Sequence, residues 1–493
     1  MSQKALYCTS ASDFWVDTVD NISKEADIQP CYWIVNSNEV DRDINNLFPD
    51  CVVHDIYDCR KGILPEEYSS FEFSEYPVDE DILTTFRETE STVLSMMDRA
   101  DMGNATDEGF SYGERLRHYH NLLSQWRYII DKLEIDYSIF SDIPHNAATY
   151  VLYRVCREQG VETVLITRTT VNDRCYTRSR IHHTNDVFGN ESDNDSLSPE
   201  LKEYLDQIRG DYTTAEPEYM QNQNPYLPNL NHSIREYIVK WWYFSPTSVL
   251  KRDKQLYSDS RMNKYSWLLY RFRAEIYKQR LKHEYANRSI HPDLTNKFLY
   301  FPLHYQPERT TSPEGGDFVN QYLAIELLAN VLPNHIKIFV KEHPSQFSFQ
   351  PDGDRGRTVE DYEFLNSINQ VSLVEQNTSS FDLIDSSIAV STVTGTAGWE
   401  GLVRLTPSLV FGDAWYSACP GCFKVKTKEE VSSAINRILN GINIKKRDIE
   451  NFLIKIDDIS EVVTQNPANK NAHQENVDSL TRLILRHIGE SRF

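Results

Sequence analysis

Two stretches of the chain alternate short apolar runs with helix-length amphipathic patterns, and this alternation restricts the fold more than any other feature. In the first stretch, Ala5–Cys8, Tyr32–Val35, Cys51–His54 and Tyr137–Phe140 read as strands. A helix over Ala147–Gln159 and a strand at Thr163–Thr167 follow, completing a strand–helix–strand unit. Such a crossover returns the chain parallel to itself, so the sheet is expected to be parallel. The second stretch places strands at Phe298–Leu303, Ile336–Val340, Val371–Val374, Ile388–Ser391 and Ser408–Phe411. Helices are expected between them at Phe318–Val331, Val359–Ile368, Phe381–Asp385 and from Ala397, with a further one at Lys428–Leu439. At 493 residues the chain is too long for one compact core and suits two α/β domains.

The connection differs from both. Asn185–Asn231 is rich in Asn, Asp, Ser and Pro, with weak periodicity apart from a short helix near Leu201–Ile208. It reads as a surface insertion or an inter-domain connection. A helical zone follows over Ser233–Ala286, with Tyr265, Leu268, Leu269, Phe272 and Ile276 at helical spacing. Another helix is expected near Glu475–His487.

Charge excludes one class of partner. The formal net charge is −22, which repels a polyanion, so nucleic acid is not expected as a partner. The segment from Lys251 to Arg288 runs against this trend, with eleven Lys/Arg against four Asp/Glu and aromatic residues interleaved. It reads either as a helical linker that packs its aromatics, or as a docking face for an anionic membrane or an acidic glycan. No stretch is apolar for long enough to span a bilayer, and Met1–Ser12 lacks the features of a signal peptide. Eight thinly spread cysteines are not a disulfide framework, so a reducing cytoplasm is the expected location, with peripheral contact at the inner face of the membrane through 251–288.

In parallel α/β sheets ligands bind beyond the carboxyl ends of the strands, so the residues that follow each strand carry the functional information. Lys341-Glu342-His343-Pro344 follows Ile336–Val340, and its ammonium and imidazole suit either a phosphate contact or a plain polar turn. Ser391 opens a run through Thr392, Val393, Thr394, Gly395 and Thr396 to Glu400. Small hydroxylated and Gly residues there let backbone N–H groups approach a ligand, and the following helix N-terminus attracts an anion. Glu400 is one residue late for a capping box with Thr396, which leaves it to bind ribose hydroxyls or to be a solvated helical carboxylate. A third polar loop runs from His304 through Tyr305, Gln306 and Pro307 to Glu308, after Phe298–Leu303. Asp142-Ile143-Pro144-His145 stands in the same relation to Tyr137–Phe140.

These residues carry a family resemblance. Phe301-Pro302-Leu303-His304-Tyr305-Gln306-Pro307-Glu308, Val340-Lys341-Glu342-His343-Pro344, and Ser391–Thr396 with Glu400 and Pro407 resemble the capsule polysaccharide biosynthesis family. That family includes bacterial transferases of Kdo, an acidic sugar carried by CMP. The resemblance is best over about 298–425, and Ser141–His145 looks like the first-domain loop of related glycosyltransferases. It implies an α/β, GT-B-like fold of two Rossmann-like domains with an inter-domain cleft and a helical insertion. The implied layout is an acceptor domain over 1–184, an insertion and basic linker over 185–296, a donor-nucleotide domain over 297–465, and a helix over 466–493 returning to the first domain.

The activity implied is transfer of a sugar, Kdo or another acidic sugar, from a CMP- or UDP-linked donor to a cell-surface polysaccharide or glycolipid. Lys341, His343, Pro344, Thr392, Thr394, Gly395, Thr396 and Glu400 are then the donor-binding residues. Asp142 and Glu308 are the carboxylates expected to face the oxocarbenium-like centre, and His145, His304 and Gln306 are the expected sugar or acceptor contacts. No cofactor and no metal are expected, the nucleotide-sugar being a substrate. Three other readings stay open: a transferase of CDP-linked polyol phosphate, a sugar-nucleotide epimerase, and a non-catalytic glycan-binding or assembly protein. Cys419-Pro420-Gly421-Cys422 lacks a second ligand pair and reads as a reduced loop, while Asp193-Asn194-Asp195 and Asp352-Gly353-Asp354 read as solvated acidic loops.

Overall fold

A computed structural model describes residues 2–36, 43–100, 111–182, 196–210, 235, 238–239, 264–307, 311–348, 353–464 and 470–490. The chain divides into two units: Met1–Ile181 with Val249–Met262 and Ile459–Phe493, and His182–Ser248 with Asn263–Asp458.

The first unit is built on strands β1 (Gln3–Cys8), β2 (Ile28–Val35), β3 (Val52–Asp55), β4 (Tyr137–Phe140), β5 (Glu162–Arg168) and β6 (Arg174–Arg178). A seventh strand comes from the end of the chain, and β1 to β5 run parallel in the order 3-2-1-4-5. Successive side chains leave opposite faces of a strand, so each strand feeds two cores. Leu6, Tyr32, Phe140 and Leu165 pack beneath the helices Tyr112–Leu133 and Ala147–Glu158. Ala5, Tyr7, Trp33, Ile139 and Val164 face the helix Asp13–Ala26 on the other side. The helix Tyr112–Leu133 starts at a capping box, Ser111 with Glu114, and stops where Glu134 turns left-handed at φ 52°.

The second unit holds a six-stranded sheet of β7 (Phe298–Pro302), β8 (Lys337–Lys341), β9 (Val371–Leu373), β10 (Ala389–Thr392), β11 (Ser408–Val410) and β12 (Cys422–Lys424). All neighbours are parallel, in the order β12-β11-β10-β7-β8-β9. The chain winds outward through β8 and β9, returns to β10 beside β7, and winds the other way. This is the doubly wound Rossmann arrangement, with its switch point between β7 and β10. Leu299, Phe301, Ile338 and Val340 pack under the helices Gln321–Val331, Val359–Ser367 and Lys428–Leu439. Phe298, Tyr300, Phe339 and Val390 pack against the helix Ser380–Ser386. Each unit is thus a Rossmann-like α/β layer.

The chain closes on the first unit. β13 (Glu461–Val462) pairs antiparallel with β6, and the helix Lys470–Glu490 lays Leu480, Leu483, Ile484 and Ile488 into the core beside Val16 and Val19. His473 Nε2 lies 2.9 Å from Asp17 Oδ2, joining that helix to Asp13–Ala26.

The basic helix Lys264–Arg288 departs from the sequence expectation. Leu269 and Ile276, two of the apolar residues at helical spacing, are 50% and 58% exposed. Tyr270, Ala274, Leu281 and Tyr285 are buried instead, with the Glu275–Lys278 ion pair (2.6 Å) among them. The physical reason is that a charge can occupy a core face when it is paired, and Lys278 Nζ, besides holding Glu275, donates to Ser348 O at 2.9 Å.

Candidate functional site

The site begins at the switch point of the second unit. His304 stands two residues past β7, and its Nε2 lies 3.0 Å from Thr392 Oγ1 at the end of β10 and 3.3 Å from the backbone N–H of Thr394. That N–H donates, so Nε2 accepts, and the proton of the neutral ring sits on Nδ1. The Thr392 hydroxyl then donates to Nε2 and accepts from Gly395 N at 3.2 Å. Gly395 is needed here because a Cβ would stand 2.7 Å from Thr392 Oγ1 and 3.2 Å from His304 Cε1. The His304 backbone is fixed too: its N–H donates to Gln321 Oε1 at 2.7 Å, and its carbonyl accepts from Arg357 Nη2 at 2.8 Å.

The loop leads into the helix Thr396–Val403, whose N-cap, Gly395, offers no side chain. The helix is held by close packing. Tyr416 Oη donates to Gly395 O and would stand 2.2 Å from a Cβ at Gly398, while Trp399 Nε1 donates to Tyr204 Oη at 2.9 Å. Glu400, about one turn into the helix, hydrogen bonds with Thr396, and burial lifts its carboxyl to about 7. Lys341, at the end of β8, is buried on the same side of the sheet as Phe339. Its ammonium donates to Thr378 O at 2.5 Å and Ser380 Oγ at 3.0 Å. Burial lowers it to about 8, against the pull of the Glu400 charge. An acid and a base displaced toward neutrality and coupled to each other mark a functional-site candidate.

The turn after β8 is braced from beneath. Glu342 is buried; its carboxylate accepts from Arg357 Nε and Tyr362 Oη, each at 2.9 Å, and from His343 N at 2.9 Å. Tyr285 Oη meets the Glu342 N–H at 3.0 Å. The turn therefore presents His343 at the edge, where its Nδ1 accepts from Ser345 N at 3.1 Å and Pro344 opens a short 3-10 turn. An accepting Nδ1 places the proton of the neutral ring on Nε2.

The remaining expected residues fall in two groups. Gln306 serves its own loop: its N–H donates to Gln346 Oε1 at 2.9 Å, and its side-chain amide to Thr311 Oγ1 at 2.9 Å. Glu308 lies outside the described residues, as do Asp193, Asn194, Asp195 and Asp352. Asp354 is no solvated loop carboxylate, because it accepts from Tyr270 Oη at 3.1 Å. Asp142 and His145 belong to the first unit. Ser141 N donates to Cys8 O at 3.1 Å, so Asp142 stands where β1 and β4 adjoin, at that sheet's own switch point. Asp142 Oδ1 accepts from Ile143 N at 2.8 Å, and His145 Nδ1 donates to Ile143 O at 2.9 Å.

Thus the structure brings Lys341, His343, Pro344, Thr392, Thr394, Gly395, Thr396, Glu400, His304 and Gln306 to the carboxyl edge of one sheet. Sequence reasoning missed Arg357, Gln321 and Gln346, which fix the loops from neighbouring elements and carry no local motif. Cys422 opens β12 instead of lying in a loop, and the Cys419 and Cys422 thiols are free and pushed up by burial. Among the described residues no group of three or more His, Cys, Asp or Glu could hold a metal, and no helix is long and apolar enough to cross a membrane.

Among solved structures, the chain is similar to the Thermosulfurimonas dismutans KpsC beta Kdo 2,4 transferase at 11% identity and a TM-score of 0.32, over 70% of this chain and 87% of that one. It is similar to the UDP-GlcNAc 2-epimerase of Methanocaldococcus jannaschii at 10% identity and a TM-score of 0.24, over 93% and 98%. A glycosyltransferase from Rickettsia africae matches at 8% identity and a TM-score of 0.25, over 98% and 99%. No curated protein sequence matches the chain. The family model that does match spans residues 313–429, so it takes in Lys341–Pro344 and Thr392–Glu400, and it is that of the capsule polysaccharide biosynthesis proteins, the family this segment resembles.

Proposed function

We propose that the protein is a glycosyltransferase that moves a sugar, Kdo or another acidic sugar, from a CMP- or UDP-linked donor to a growing cell-surface polysaccharide or glycolipid. The observation that carries this reading is the junction of His304, Thr392, Thr394 and Gly395 at the switch point of the second sheet, directly before the helix Thr396–Val403. Small residues, backbone N–H groups and a helix N-terminus gathered at a switch point suit a nucleotide phosphate.

In this reading the donor phosphate binds over the 392–396 loop, with His343 at its rim. Negative charge that develops on the departing nucleotide is stabilised by the loop amides and by the Lys341 ammonium. Two of the three Lys341 N–H groups are already used by Thr378 and Ser380, so it acts chiefly through its charge. Glu400 takes ribose hydroxyls. Asp142 and Glu308 are the proposed carboxylates for the reacting sugar. The reaction takes place in the cytoplasm, at the inner face of the membrane.

The test is a panel of CMP-, CDP-, UDP- and GDP-sugars scored by thermal shift, since a ligand that binds the folded state raises its apparent stability. A shift with one nucleotide class, followed by transfer to an oligosaccharide acceptor, supports the proposal. A CDP-polyol donor preferred over every CMP- or UDP-sugar points to the polyol phosphate transferase, and no shift with any donor points to a non-catalytic scaffold.

A further inference from the structure

A third ionisable cluster stands at the same sheet edge and lies outside the roles given above. The loop after β11 is stitched to the 392–395 loop: Phe411 N donates to Thr392 O at 3.0 Å and Gly412 N to Val393 O at 2.9 Å. A Cβ at Gly412 would stand 2.6 Å from Thr394 Cγ2, which shows how tightly the two loops lie together. The next residue, Asp413, is buried. Its Oδ1 pairs with the Lys424 ammonium from β12, and its Oδ2 lies 3.0 Å from His182 Nδ1.

The protonation pattern follows. Burial alone raises a carboxyl, but the bonds from His182 and Lys424 override it and hold Asp413 down at about 2. An ionised Asp413 only accepts, so His182 Nδ1 carries a proton and Nε2 is the distal, lone-pair nitrogen of the neutral ring. The His182 side chain is 36% exposed, whereas the Asp413 carboxylate is wholly buried. The arrangement resembles those in which a buried carboxylate, bonded to one ring nitrogen, fixes the tautomer and orientation of a working imidazole. A phosphate oxygen only accepts, so a contact at Nε2 is made by an N–H there, and Asp413 and Lys424, opposite in charge, leave the ring's own charge to face the anion.

We propose that His182 contacts the phosphate of the nucleotide bound at the β7/β10 switch point, with Asp413 as its positioning residue. The proposal rests on the donor-nucleotide reading of that site. A merely structural alternative exists, in which the His182–Asp413 bond staples the entering chain to the second unit. The two separate by which ring nitrogen matters. An Asn side chain places its amide N–H where Nδ1 stands, so His182→Asn keeps the bond to Asp413 and removes only Nε2.

The experiment is calorimetric titration of CMP, UDP and the corresponding nucleosides into the full chain, wild type and His182→Asn. A phosphate contact made by a charged donor is expected to be worth about tenfold to a hundredfold in affinity. That loss should appear for the preferred nucleotide and not for its nucleoside, with the melting temperature unchanged. Asp413→Asn, which keeps an acceptor but not the charge, should lose part of the same nucleotide affinity. If His182→Asn binds the nucleotide as wild type does, the phosphate contact is overturned and the staple stands. If wild type binds neither CMP nor UDP, the donor-nucleotide reading falls, and this proposal with it. A His182→Asn protein that melts lower and loses nucleotide and nucleoside alike also overturns the contact.

Discussion

Arg357 and Glu342 form a buried ion pair, Nε to Oε2 at 2.9 Å, and the same guanidinium reaches across to the His304 carbonyl at 2.8 Å. One side chain thereby locks the turn after β8 to the loop after β7. Removing one member of a buried pair leaves the other uncompensated and costs about 3–5 kcal/mol. Arg357→Leu should therefore lower the urea midpoint of the second unit strongly, and Glu342→Leu in the same protein should restore part of it. A single variant within about 1 kcal/mol of wild type would mean that the pair does not hold the two loops.

Gly395→Ala tests the switch-point junction. The added methyl meets Thr392 Oγ1 and His304 Cε1, on a loop fixed at both ends. Overpacking of this kind costs about 1–3 kcal/mol. The variant should melt lower and bind the preferred nucleotide at least tenfold more weakly, as read by calorimetry. Unchanged affinity would place the ligand away from this loop.

Glu400 gives a pH dependence with a definite sign. Its carboxyl is raised from 4.5 to about 7, so between these values the folded protein holds a proton that the unfolded chain has lost. The stabilisation from Glu400 is complete below about pH 4.5 and is lost as pH rises through 7. The difference in stability between wild type and Glu400→Gln should shift against wild type over this window. Urea unfolding at half-unit pH intervals reads it, and a flat difference would show a Glu400 carboxyl at its ordinary value.

Asp142→Asn should lower turnover by about 10²–10⁴-fold with little change in donor nucleotide affinity. The substitution keeps shape and the bond from Ile143 N, and loses the charge or proton. Glu308→Gln is expected to do the same. A rate within a few-fold of wild type removes the residue concerned from the chemistry.

The outer face of the helix Lys264–Arg288 bears Leu269, Arg273, Ile276 and Arg280, all exposed and spaced to line up. If that face docks to membrane, vesicles with anionic lipid should retain the protein, salt should release it, and Ile276→Glu should reduce retention. Equal partition to neutral and anionic vesicles would leave the face without that role.

Much of this was legible in the sequence wherever local chemistry set the outcome. Apolar runs placed β1, β4, β7, β10 and β11 to within a residue or two, because a parallel strand buried on both faces is mostly apolar along its length. The same pattern marked the loops that follow them. The strands β6, β12 and β13, at the margins of their sheets, escaped notice, since Arg174–Arg178 and Cys422–Lys424 are too polar to read as apolar runs. The supports of the site were equally hidden. Arg357 and Gln321 act 53 and 17 residues from His304, and nothing in their neighbours distinguishes them from surface residues. In the helix Lys264–Arg288 both faces carry apolar residues, so periodicity could not choose between Leu269 and Tyr270.

The first sheet is completed by residues that lie almost 300 positions downstream: β13 extends it beyond β6, and Leu480, Leu483 and Ile484 cover one of its faces. A ribosome making this chain therefore releases the last pieces of the first unit only after the whole of the second has been synthesised. The second unit can fold while the first still waits with an apolar face open to water. Premature termination after about residue 458 would leave a complete second sheet joined to a sticky, half-covered first one, a product for chaperones and proteases to intercept.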